Sequence, residues 1–82
     1  MVLKELTAKK DIDSKGYALL VQHAMRYNSD VLLEVGVKRV NCKSVMGMIS
    51  LGFRTGDKAV LIIKGEDEEA ALADMADLFE NL

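Results

Sequence analysis

Apolar and polar residues alternate loosely from Val2 to Ala8, with Lys4 and Thr7 among apolar neighbours, and the pattern predicts a strand. Lys9-Lys10-Asp11 breaks it into a loop, and Asp13-Ser14 supplies two residues suited to cap a helix. Tyr17, Leu20, Val21, Ala24 and Tyr27 then recur at spacings of three and four, which makes one apolar face of a helix ended by Asn28-Ser29-Asp30. Val31 to Val35 and Val37 to Asn41 are rich in β-branched residues and predict two strands. Gly36 between them suits the first central position of a two-residue type II′ turn. Ser44 opens a short apolar segment that Gly52 ends, and this Ser start and Gly stop favour a short helix over a strand. Thr55-Gly56-Asp57 reads as a turn, Ala59 to Ile63 as the last strand, and Gly65 as its end. Glu66-Asp67-Glu68-Glu69 starts a final helix with charges that favour its positive end, and its stripe runs Ala71, Met75, Leu78, Phe79 and Leu82.

Four strands with a tight hairpin, and helices able to cover one face, predict an α+β open-faced sandwich of order βαββαβα. The chain has 82 residues and no proline, repeat or linker, so residues 1–82 are expected to form a single domain. Half of the residues are hydrophobic, yet there is no Trp and only two Phe and two Tyr, so the core must be aliphatic. Eleven basic against thirteen acidic side chains give a net charge of −2, which argues against direct nucleic-acid binding. No apolar run approaches the ~20 residues of a membrane span, and no signal peptide is evident. A single cysteine, Cys42, excludes an internal disulfide and fits a reducing compartment, the cytoplasm.

Candidates for catalysis are few. His23 is the only histidine and falls off the apolar face of its helix, so it reads as a solvated surface residue. A metal would need further His or Cys partners, and Cys42, just past a strand in apolar surroundings, reads as buried and inert. Gly47, Gly52 and Gly56 are too widely spaced for a phosphate cradle, and the acidic run at 66–69 reads as a solvated first helical turn. The chain is therefore expected to be no enzyme and to hold no metal or cofactor. Ser44 reads as a helix N-cap, and a phosphoryl group there would face free N–H groups, so the position also suits phosphorylation. For Val45, Met46 and Ile49 the residues alone favour a core placement over an adaptable binding patch.

The stretch from Asn28 to Leu51 resembles the HPr family, the small phosphocarriers of the bacterial sugar phosphotransferase system. The likeness centres on Val40-Asn41-Cys42-Lys43-Ser44-Val45-Met46-Gly47 and Ser50-Leu51, which are similar to the family's regulatory-serine motif, with Cys42 at a usual Ala. Gly56-Asp57, Gly65-Glu66-Asp67-Glu68-Glu69-Ala70 and Leu20-Val21-Gln22 with Ala24 extend it over nearly the whole chain. The resemblance implies a four-stranded antiparallel sheet with three helices on one face.

It also exposes a departure. The family's catalytic motif, Gly-Leu-His-Ala-Arg-Pro, falls on Asp11-Ile12-Asp13-Ser14-Lys15-Gly16, which puts Asp13 at the histidine, Lys15 at the arginine and Gly16 at the proline. The N-terminal part is two residues shorter than is usual in the family, and placing that deletion differently puts Lys15 at the histidine instead; neither placement yields a histidine. The resemblance thus implies a histidine-less, HPr-like regulator resembling the family's catabolite-repression branch. Ser44 would be modified by an HPr serine kinase/phosphorylase. Val45, Met46, Ile49 and Lys15 would dock a transcriptional regulator or another phosphotransferase-system protein. It would act as a monomer or weak homodimer away from any membrane. The alternatives are a residual phosphocarrier that takes phosphate from enzyme I at a non-histidine residue, and an unmodified binding module.

Overall fold

The computed structural model describes residues 1–82. Its elements are β1 (Val2–Thr7), α1 (Ser14–Ala24), β2 (Asp30–Val35), β3 (Lys38–Asn41), α2 (Val45–Ile49), β4 (Lys58–Lys64) and α3 (Glu68–Asn81). The strands form one antiparallel sheet in the order β1-β4-β2-β3. Each strand turns alternate residues to the helices. Leu6, Val31, Leu33, Ala59, Leu61 and Ile63 are buried there against Tyr17, Leu20, Val21 and Ala24 of α1, Met48 of α2, and Ala71, Met75, Ala76 and Phe79 of α3. The expected element order and open-faced sandwich are what the structure has.

The hairpin is the one the residues predict. Val35 pairs with Lys38 across Gly36 and Val37, and only Gly36 has a positive φ, of 60°, the mark of a type II′ turn. Val37 therefore belongs to the turn rather than to β3, and is fully exposed. Helix α1 stops at Ala24, one turn short of the predicted face, so Tyr27 lies beyond it. Helix α3 begins at Glu68, two residues later than the acidic run suggests, because Asp67 is held elsewhere. Its carboxylate accepts from Ser29 Oγ and from the Asn28 N–H at 3.0 Å, so it is a tertiary anchor rather than one charge in a solvated turn.

Two polar contacts, one buried and one partly buried, connect distant segments. Tyr17 Oη accepts from the Phe53 N–H at 2.7 Å, satisfying backbone in an irregular stretch that also places the Phe53 ring edge-on against Phe79. Ser29 is completely buried, its hydroxyl on Asp67.

Candidate functional site

Asn41 closes β3 and its Oδ1 accepts from the Lys43 N–H at 2.9 Å, turning the chain out of the sheet. Lys43 Nζ donates to the Tyr27 carbonyl at 2.8 Å and ties this turn to the end of α1. Ser44 follows as the N-cap of α2: its Oγ accepts from the Gly47 N–H at 3.2 Å while the residue stays exposed. At the other end Ser50 Oγ donates to the Gly47 carbonyl at 2.6 Å. A five-residue helix has no strength of its own, and these two serines with the buried Met48 hold it in place.

The same helix sorts its apolar side chains into two classes. Met48 is fully buried, whereas Val45, Met46 and Ile49 are 42%, 83% and 48% exposed. The core placement favoured by composition is thus corrected. Helix α2 is only five residues long and packs against α1 and β3, so only one of its faces reaches the core. Around the Ser44 hydroxyl this leaves three apolar side chains open to solvent. Cys42 beside them is completely buried, and burial pushes its thiol up to about 12, which is the inert state expected of it.

Asp13 and Lys15 lie elsewhere. They line a shallow groove with Asp11, Ile12, Leu19 and Leu82, and no residue of α2 contributes to it. Asp13 caps α1, its Oδ1 accepting from the Gly16 N–H at 2.9 Å. Asp11 shares the groove. Hydrogen bonds from the Thr55 N–H and hydroxyl hold the Asp11 carboxyl below its ordinary value.

His23 also needs correcting. Rather than projecting into solvent, its Nδ1 lies 3.1 Å from both carboxylate oxygens of Asp74 on α3, with its side chain only 19% exposed. Tyr27 Oη donates to the same carboxylate at 2.8 Å. Partial burial raises the Asp74 carboxyl, but the bonds from Tyr27 and His23 outweigh it and the net shift is downward; Tyr27 in turn is raised by its bond to Asp74. Helical periodicity reports the core side of α1 and is blind to α3 lying along its flank, which is why this polar junction escaped the sequence.

An antiparallel sheet covered on one face by three helices, and an exposed serine that caps a short helix bearing exposed apolar side chains, define an HPr-type sandwich. Residues 5–81 match the family model for the PTS HPr component phosphorylation site. The chain belongs to the HPr family. It is 46% identical over 72 residues to the HPr-like protein Crh of Bacillus subtilis (strain 168), covering 88% of this chain and 85% of that one. The structure of HPr-C-His from Thermoanaerobacter tengcongensis superposes with a TM-score of 0.93 at 35% identity, over 99% of this chain and 93% of the other. A Bacillus subtilis Crh crystal structure, described as a dimer with a swapping domain, superposes with a TM-score of 0.80 at 41% identity, over 99% and 95% of the two chains.

Proposed function

We propose that this chain is a regulatory HPr-family protein that has lost the phosphocarrier histidine and works through Ser44. In this reading a serine kinase/phosphorylase transfers the γ-phosphoryl group of ATP to Ser44 Oγ in the cytoplasm. The phosphorylated surface, with Val45, Met46, Ile49 and Lys15, then binds a transcriptional regulator or another phosphotransferase-system protein in carbon catabolite control. It acts by being modified and bound, without catalysing a reaction itself.

The observation that carries the reading is the exposed Ser44 hydroxyl beside three exposed apolar side chains. The residues at the degenerate carrier site point the same way. Asp13 is engaged in capping α1, and the sole histidine, in the last turn of α1, is bonded to Asp74 of α3. The likeness to Crh supports the regulatory branch, and the dimeric Crh structure supports a weak homodimer.

Incubation with an HPr kinase and ATP is expected to add one phosphoryl group to the intact mass, and Ser44→Ala to abolish the gain. Unmodified wild-type protein, under conditions that label an ordinary HPr, would sink the reading. Label transferred from enzyme I and phosphoenolpyruvate would replace it with a residual carrier.

A further inference from the structure

The two central strands carry an oddity of pattern. An antiparallel strand with one wet face alternates apolar and polar, whereas Val31-Leu32-Leu33 and Val60-Leu61-Ile62-Ile63 are continuous apolar runs, the pattern of strands covered on both faces. Helices cover only one face. The other presents Leu32 on β2, Val60 and Ile62 on β4, and Leu3 on β1, none of which packs against the core. Leu3, Ile62 and Leu32 lie in one cross-strand row, and Leu3 is 56% exposed.

The charges on this face have a definite order. In the row on one side of the apolar one, Lys64 of β4 pairs with Asp30 of β2. In the row on the other side, Glu5 of β1 and Arg39 of β3 occupy the two outer strands, with Val60 and Glu34 between them. Each row thus places one pair of opposite charges at equal distances from the β4–β2 seam, while Glu34, bonded within its own chain to Arg39 at 2.7 Å, lies opposite Val60. A two-fold axis along that seam lays β4 over the partner copy's β2 and β1 over its β3. It brings Lys64 over Asp30, Glu5 over Arg39 and Ile62 over Leu32, each contact made twice.

We infer that the open sheet face is a self-complementary docking surface for a second copy of this chain, packed sheet to sheet about the β4–β2 seam. This rests on the homodimer reading and gives it an interface distinct from the swapped domain of the Crh structure. Aligned sheets cross at about −30°, an offset that Lys, Arg and Glu side chains can span. With strands ~4.8 Å apart, four short strands offer a face of roughly 15 by 20 Å, and contact buries on the order of 800 Å² in total. That is a transient interface, so the dimer dissociates in the range of ~0.1–1 mM. All three helices face away from it, so Ser44 stays accessible in both copies.

Sedimentation equilibrium from ~10 μM to ~1 mM tests the inference. The weight-average mass is expected to rise towards twice that of the monomer over this range, less so at high salt. Ile62→Lys should weaken association ~100-fold and Asp30→Lys ~10-fold, because each change is felt twice across the axis. The double variant Asp30→Lys/Lys64→Asp should restore it, which separates a lost contact from a misfolded chain. A monomer at ~1 mM overturns both this interface and the homodimer reading. A dimer unmoved by any of these variants overturns the sheet-to-sheet interface alone and leaves another mode of pairing.

Discussion

At the scale of single residues, Gly65 has no chemistry of its own and is the glycine a side chain would crowd most. Its φ of 155° and the close approach of β2's entry leave no room for a side chain: a Cβ would lie 2.6 Å from both Cα and Oγ of Ser29. Ser29 cannot yield, being fully buried and hydrogen-bonded to Asp67. Gly65→Ala is therefore expected to cost about 2 kcal/mol or more, read as a lower urea midpoint with an unchanged slope. The same three residues show where single-residue reading succeeds and fails. Gly65 as a strand terminator was legible because glycine at a strand end has a local meaning. The burial of Ser29 was not, since Asn28-Ser29-Asp30 looks like any polar turn and its partner lies 38 residues away. Caps were legible for the opposite reason: Asp13 and Ser44 each bond an N–H three residues on, so the sequence contains both partners.

Between elements, α1 and α3 share the apolar core but meet through a polar contact at its flank, where one carboxylate joins them. Asp74 accepts from both Tyr27 and His23, so Asp74→Asn weakens two contacts at once. The expected loss is about 1 kcal/mol, because the group is partly exposed, with 27% of its side chain accessible. Hydrogen exchange should locate the effect in the last turn of α1 and the middle of α3, leaving the β2–β3 hairpin unchanged. Element identities were recoverable from periodicity and turn residues throughout; element ends were not. Helix α3 starts late because Asp67 serves Ser29 and Asn28, and α1 stops early because Tyr27 is drawn towards Asp74. In each case a tertiary partner overrode a local pattern.

For the molecule as a whole, four carboxylates make stability depend on pH. Hydrogen bonds lower Asp67 (from Ser29 and Asn28) and Asp11 (from Thr55), the Met1 ammonium lowers Glu68, and Asp74 is lowered despite partial burial. Their folded values lie below the ordinary 3.8 for Asp and 4.5 for Glu. Their contribution is thus complete above those values and is lost as the pH falls through the lower, folded ones. Tyr27 acts at the other end: raised above 10.0, it contributes below that pH and ceases to as the pH rises through its folded value. Thermal melts should show a plateau between these limits and a fall on both sides, with Asp74→Asn reducing the dependence at each end. Strand order is the property that no local pattern contains; the family resemblance implied the sheet, and the register shows how it closes. Strand β1 pairs only with β4, Val2 against Ile63 and Thr7 against Lys58, so the first strand synthesised waits for the last. At ~5–20 residues per second, β1 spends roughly 3–10 s without its partner while the β2–β3 hairpin can already form. Lys4, Glu5, Lys9 and Lys10 punctuate that waiting segment with charge, which keeps a nascent apolar strand from pairing with a neighbouring chain before its own has arrived.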